Sequence, residues 1–309
     1  MSFVSCFESS RVILMEGALG ERLKREYGLA SNETVALADI IYRRGGKEAL
    51  CELWGQYIKT AEAYDLPFIA TTPTRRANRE RVLRAGFDEA IIFDNVECLK
   101  QLRDASGIEM YVGGLMGCRG DAYRVTDILQ KEEAFEFHYW QADLFRRSGV
   151  DFLFAGIMPA LPEILGMAKA MEKTGLPYVI SFMIRDNGRL IDGTTINEAI
   201  LQTDAYVERR PVCYMANCVH PTVLYKALSC EYNRTELVKQ RFRGIQANTS
   251  PLPPEELDNS IDLKCSGCNE LVQSIMSLSE LISLKIVGGC CGTDNTHINS
   301  IAEYICRNG

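Results

Sequence analysis

Two adjacent cysteines, Cys290 and Cys291, stand in Ile286-Val-Gly-Gly-Cys-Cys-Gly-Thr293, where a short β-branched run and a glycine pair lead into two thiols. That is the pattern of a strand ending on a pair of sulfurs. Upstream, Val212-Cys-Tyr-Met-Ala-Asn-Cys-Val-His-Pro221 has the same design, an apolar run that reaches Asn217 and Cys218 before a proline-started helix signal. If both runs are strands of one barrel, Cys218, Cys290 and Cys291 can converge at its mouth. Catalytic zinc takes three protein ligands and leaves its fourth tetrahedral position open, whereas structural zinc is usually closed by four. The pattern therefore points to zinc holding a substrate. For the adjacent pair alone, two buried thiols or a vicinal disulfide is the plainer alternative, since free cysteine is among the most buried residue types. The distant Asn217-Cys218 partner and the flanking glycines weigh against it.

The elements that must position these sulfurs can be read from eight short apolar runs: Val12-Met15, Pro67-Ala70, Met110-Gly114, Asp151-Ala155, Tyr178-Met183, Val212-Ala216, Arg243-Gln246 and Leu284-Val287. Helix-length segments with apolar residues at three- and four-residue spacing lie between most of them, such as Glu132-Ser148 and Leu161-Lys173. Strand and helix alternate, which implies a parallel sheet, and eight strands close it into a (β/α)8 barrel. The first interval is long and holds several helical signals, including Gly20-Glu26 and Lys47-Tyr64, so a miscounted strand would fall there. Such a barrel carries its active site at the C-terminal ends of its strands. Glu16, Thr71 and Thr72, Ser181, Asn217 and Cys218, Asn248, and Cys290 with Cys291 all fall at or near those ends. Only one strand separates the sixth from the eighth around the rim, so their thiols can approach one metal.

With 309 residues, the chain has room for one such barrel of about 250 residues with insertions, and residues 1–309 read as a single domain. Hydrophobic residues at 47% and charged residues at 24% match ordinary globular proteins and exclude disordered or collagen-like classes. A net charge of -7, with no Lys/Arg block, gives no footprint for nucleic acid. No apolar run approaches membrane-spanning length and the N-terminus has no basic leader, so a cytoplasmic protein acting on small molecules is expected. Twelve cysteines in that setting read as reduced thiols or metal ligands. Cys51, Cys98, Cys213 and Cys306 have the contexts of buried, inert thiols.

The sequence resembles the homocysteine S-methyltransferase family over nearly its whole length. The resemblance rests chiefly on Gly288-Gly-Cys-Cys-Gly-Thr293 followed by His297-Ile298, and on Asn217-Cys218-Val-His-Pro221. Looser matches are Met15-Glu-Gly-Ala-Leu-Gly20 and Ser181-Phe182 followed by Asp192-Gly-Thr194. It implies a TIM barrel, zinc bound by Cys218, Cys290 and Cys291, and methyl transfer to a thiol, with homocysteine the acceptor and methionine the product. Glu16, Gly17, Thr72, Ser181 and Asn217 are the expected substrate-binding residues, because a pocket for an amino acid needs a few placed hydrogen-bonding groups. Two positions depart from the family pattern. Gly156, in Phe154-Ala-Gly-Ile-Met-Pro159, stands where the family carries a glutamate for the homocysteine amino group, and Glu16 replaces the usual first-strand aspartate. A different thiol acceptor, or a barrel that keeps zinc but only binds a ligand, therefore remains an alternative. The donor is equally open between a sulfonium such as S-methylmethionine, betaine and a separate corrinoid protein.

Other residues invite weaker readings. Cys265-Ser-Gly-Cys268 has redox or half-knuckle spacing but no second pair, and reads as a loop feature or a redox-responsive site. His220 reads as a helix-start residue or an outer partner of Cys218, and His297 as support for the helix after the cysteine loop. Thr71-Thr-Pro-Thr-Arg-Arg-Ala-Asn78 places two cations after the second strand, either a solvated helix start or an anion contact. No dinucleotide or phosphate-loop glycine motif is present.

Overall fold

The computed structural model describes residues 1–10, 12–124, 126–251 and 267–308. Eight parallel strands, β1 (Ile13–Met15), β2 (Phe68–Thr71), β3 (Met110–Gly117), β4 (Phe152–Met158), β5 (Tyr178–Phe182), β6 (Cys213–Val219), β7 (Phe242–Ala247) and β8 (Ile286–Gly289), pair in chain order and close into a barrel. Every apolar run read from the sequence lands on a strand. The long first interval holds helices, and β1 pairs directly with β2 through Leu14 and Phe68, so no barrel strand intervenes. The chain is thus the expected (β/α)8 TIM barrel.

The helices are α1 (Phe3–Ser9), α2 (Gly20–Tyr27), α3 (Gly46–Ala63), α4 (Arg79–Arg84), α5 (Ala90–Ser106), α6 (Lys131–Ser148), α7 (Leu161–Lys173), α8 (Ile196–Tyr206), α9 (Pro221–Ser229), α10 (Glu236–Arg241), α11 (Cys268–Ser277) and α12 (Asn295–Asn308). Local chemistry sets their ends. α6 begins at a capping box between Gln130 and Glu133 and stops at Gly149, whose φ of 72° is the left-handed conformation glycine adopts without penalty. None of the described helices is long and apolar enough to cross a membrane.

Two layers of core result. Outward-facing strand residues pack on the helices, while Ile13, Met15, Ile69, Tyr111, Phe152, Phe154, Val179, Cys213, Met215 and Ile286 fill the barrel interior. The lower end is closed by α1, to which the sequence reading assigned no element. Phe3 stacks on Phe152 with ring centroids 4.2 Å apart and meets Tyr111 edge-on at 5.9 Å. Ser2 caps this helix by accepting from the Ser5 amide. Burying the Phe3 ring contributes about 2–3 kcal/mol, enough to hold a seven-residue helix that would not persist alone.

Three strands are irregular, β7 low in the barrel, where Tyr214 pairs with Phe242 and Met215 with Gly244 so that Arg243 is passed over, and β4 and β6 higher up. Pairing shifts by a residue between Ala155 and Met158 in β4 and between Asn217 and Val219 in β6, and the residues inside these bulges, Ile157 and Cys218, have φ of 54° and 61°. Both face the C-terminal mouth. Most of Pro251-Leu-Pro-Pro-Glu-Glu256, read as a surface loop, and Cys265 lie outside the described residues; Cys268 begins α11.

Candidate metal centre at the barrel mouth

The structure brings Cys218, Cys290 and Cys291 together. Cys218 Sγ lies 3.1 Å from Cys290 Sγ and 3.5 Å from Cys291 Sγ, and the adjacent pair are 3.9 Å apart. Tetrahedral zinc with Zn–S near 2.3 Å requires sulfurs about 3.8 Å apart, so small side-chain shifts bring the cluster to that spacing. Among the described residues this is the one group of three potential ligands that could hold a metal ion. Soft thiolates suit zinc, copper(I) or iron–sulfur chemistry rather than magnesium or calcium.

The backbone around the sulfurs explains why they meet. The sequence reading put Asn217 and Cys218 after the sixth strand; they lie inside it, at the bulge. There Asn217 pairs with Gln246 and Val219 with Ala247, leaving Cys218 between them in the left-handed region. Such a conformation costs a non-glycine residue on the order of 1–3 kcal/mol and is held by its surroundings, here the Asn248 side chain donating to the Cys218 carbonyl at 3.3 Å. Gly288 and Gly289 are required on the opposite side. A Cβ at Gly288 would stand 2.6 Å from Met15 Cβ, and one at Gly289 would strike Thr293. Thr293 is the tie between strand ends, since its hydroxyl donates to the Cys290 carbonyl at 2.7 Å and accepts from the Ala18 amide at 3.1 Å. The Thr249 amide donates to the Cys291 carbonyl, and the Cys290 amide to Ala247.

Electrostatically the three thiols act as one unit. Hydrogen bonds from Cys290 and Cys291 hold Cys218 well below the ordinary thiol pKa, and Cys290 and Cys291 are held well above it by sharing their protons with Cys218. Tyr123 adds an O–H donor 3.6 Å from Cys218 Sγ. Its phenol is held far above its usual pKa by the Cys218 charge and by burial. A metal replacing the shared protons would gather three thiolates, so its binding must release protons and weaken at low pH.

The other expected residues lie around this cluster in distinct settings. Asn217 Oδ1 accepts from Ser181 Oγ at 2.6 Å and from the Ile157 amide at 2.8 Å. These bonds fix its orientation, leaving Nδ2 as a donor with no hydrogen bond among the described residues. Nδ2 lies 3.7 Å from where a Gly156 Cβ would sit, and the same Cβ would be 2.8 Å from Leu115, so Leu115 occupies the space a side chain at 156 would need. Glu16 is buried, with Oε2 accepting from Trp54 Nε1 at 2.5 Å and Oε1 from the Thr71 amide and hydroxyl at 2.8 and 2.6 Å. Burial raises its pKa to about 7 against the pull of those bonds. Gly17 admits Tyr57, whose hydroxyl would be 2.8 Å from a Cβ there. Thr72 is fully buried, bonded to Thr74 Oγ1 at 2.7 Å and accepting from the Leu115 amide at 3.1 Å.

Several secondary expectations resolve. His220 caps α9, accepting from the Thr222 amide, and His297 Nδ1 pairs with Asp294 Oδ1 at 2.8 Å, where Asp294 caps α12. Cys98 and Cys213 are buried, and Cys51 is half-buried against Cys98. Cys306 is exposed, correcting its reading as a buried thiol, because the last turns of α12 present that face outward. Tyr123 was missed altogether. It sits in the loop after β3, where no periodicity marks it, 95 positions from the cysteine it contacts.

Comparison with known proteins agrees with this architecture. The chain is similar to the metallated form of the homocysteine methyltransferase MmuM from Escherichia coli, with 20% identity across 97% of this chain and 98% of that one and a TM-score of 0.76. It is also similar to the oxidised form of that protein, with 20% identity, coverage of 96% and 97%, and a TM-score of 0.74. At such identity the likeness bears on the fold. The family itself is shown by residues 13–305, which match homocysteine S-methyltransferase along nearly the entire barrel, sulfur-bearing strand ends included. The chain therefore belongs to the homocysteine S-methyltransferase family and is a methyltransferase that acts on a thiol acceptor.

Proposed function

We propose that this enzyme is a zinc-dependent S-methyltransferase whose acceptor is homocysteine, with Cys218, Cys290 and Cys291 as the metal ligands. The observation that carries this reading is the convergence of three sulfurs at the barrel mouth with no fourth His, Cys, Asp or Glu beside them among the described residues. A free thiol with a pKa near 8.5 is only a few per cent ionised at pH 7, and the thiolate is the nucleophile. When bound, zinc supplies a Lewis acid that stabilises an acceptor thiolate at neutral pH. The chain's own groups supply orientation. Asn217, locked by Ser181 and Ile157, presents one fixed donor to the acceptor, while Glu16, Gly17 and Thr72 hold the first two strand ends in place around it. Methyl transfer then needs the acceptor sulfur in line with the donor's methyl carbon. A sulfur–carbon bond forms, the bond from methyl to its carrier breaks, and the electron pair leaves with the carrier. Positioning of this kind supplies several kcal/mol of barrier reduction.

We assign residues 1–309 to one barrel domain and the protein to the cytoplasm. Every described cysteine is a free thiol, as a reducing compartment requires. The test is calorimetric titration of the zinc-loaded protein with L-homocysteine in buffers of different ionisation enthalpy. Binding with release of about one proton supports an acceptor held as thiolate and opens a donor screen across sulfoniums, betaine and a corrinoid protein. No binding at one zinc per chain excludes homocysteine as the acceptor.

A further inference from the structure

The segment from Thr72 to Asn78 crosses the mouth between β2 and α4 as a rigid turn. Thr72 and Thr74 are fully buried and bonded to each other, Thr74 Oγ1 donates to the Leu115 carbonyl at 2.9 Å, and Gln141 Nε2 donates to the Thr74 carbonyl at 3.0 Å. Asn78 closes the turn by capping α4. This frame carries Arg75 and Arg76, both half-buried. Gly117 on β3 makes room for the first, since a Cβ there would lie 2.6 Å from Arg75 Cγ and 3.0 Å from its carbonyl oxygen.

Other arginines around the mouth are matched. Arg81 donates to the Thr34 and Arg119 carbonyls, Arg119 pairs with Glu80 at 3.4 Å, and Arg185 donates to the Tyr123 carbonyl. Arg75 and Arg76 have no hydrogen bond or ion pair among the described residues. Burial and the neighbouring Arg75 charge hold the Arg76 guanidinium below its usual pKa, with Cys118 and Asp121 opposing. Two adjacent guanidinium groups, partly withdrawn from water, thus keep their hydrogen-bond donors without a protein acceptor among the described residues. Gly117 is the last residue of β3, so the Arg75 side chain packed on it stands at the same C-terminal mouth as the sulfur cluster.

We infer that Arg75, with Arg76 beside it, binds the carboxylate of the thiol substrate whose sulfur is presented to Cys218, Cys290 and Cys291. The inference rests on the thiol-acceptor reading above. Guanidinium and carboxylate match in a planar, two-point contact that an ammonium cannot reproduce, so the subsite selects acids. It also anchors the substrate by its acidic end, on a part of the rim distant in sequence from Gly156.

The experiment uses the full-length, zinc-loaded protein and three thiols: L-homocysteine, 4-mercaptobutanoate, which keeps the carboxylate and lacks the ammonium, and 3-aminopropanethiol, which does the reverse. Calorimetry is expected to show the first two binding about ten- to a hundredfold more tightly than the third. Arg75→Gln is expected to remove most of that preference while leaving affinity for 3-aminopropanethiol and zinc stoichiometry unchanged, and Arg76→Gln to reduce it less. Equal affinities of the unmodified protein for all three thiols overturn the inference without any variant. Loss of zinc from Arg75→Gln also overturns it, by showing that the residue serves to neutralise the sulfur cluster. If none of the three thiols binds the zinc-loaded protein, the homocysteine reading falls and the subsite falls with it.

Discussion

Cys213 and Cys218 lie five positions apart on β6, at opposite ends of the same barrel interior, and their chemistry diverges completely. At the floor, Cys213 is enclosed by apolar side chains under α1, and burial pushes its thiol up to about 12, where it stays protonated. At the mouth, Cys218 sits in a bulge with left-handed backbone, and two neighbouring thiols hold it well below the ordinary range. The floor is apolar, and the pairing shift it contains, at Arg243, puts no residue in the left-handed region. The mouth concentrates backbone strain, buried polar groups and shared protons. Stability and chemistry are thus divided between the two ends of one strand, as expected when reactive groups are drawn from the C-terminal rim and packing from below.

That division can be broken most severely at the sulfurs. Cys218→Ser or Cys290→Ser is expected to abolish stoichiometric metal binding and methyl transfer while circular dichroism still reports a folded barrel; metal analysis and a transfer assay check this. At the floor the converse holds. Phe3→Ala is expected to cost about 3–5 kcal/mol in chemical denaturation, through the cavity left against Phe152 and Tyr111, with metal stoichiometry unchanged.

A smaller effect separates the two ends by pH. The Glu16 carboxyl keeps its proton up to about pH 7 in the folded protein, whereas an unfolded carboxyl releases it near 4.5. Between those values the folded state binds more protons, so its stability falls as pH rises through the window, by on the order of 3 kcal/mol for this group. Denaturation at several pH values should show this slope in the native protein and a flatter one in Glu16→Gln. Smaller again, Asn217→Ala leaves the Ile157 amide without its acceptor in a strained bulge and should cost about 1–3 kcal/mol. Cys213→Ser buries a hydroxyl among apolar groups and should cost about 1–3 kcal/mol with activity retained, which sharpens the contrast with Cys218→Ser.

Much of this was legible in the sequence because strand ends and barrel order are nearly one-dimensional information. Eight apolar runs became eight strands, and β6 and β8, with only β7 between, delivered Cys218, Cys290 and Cys291 to one place. What escaped were features decided by tertiary contact. The bulges at Ile157 and Cys218 depend on pairing register, which apolar runs do not encode. Helix α1 is too short to announce itself and is held by the rings beneath the barrel. Glu16 reads as a free rim carboxylate until Trp54, 38 positions away, is seen to close on it. That Arg75 and Arg76 make no hydrogen bond or ion pair among the described residues is likewise invisible until their neighbours have been placed.

The central claim is that three cysteines form one metal centre that takes the acceptor sulfur as its fourth ligand. Zinc-edge X-ray absorption on the zinc-loaded protein, before and after adding L-homocysteine, tests it most directly. The expected result is three sulfur neighbours near 2.3 Å rising to about four on addition. Fewer than three sulfurs beforehand, or no change with homocysteine in excess, would contradict it.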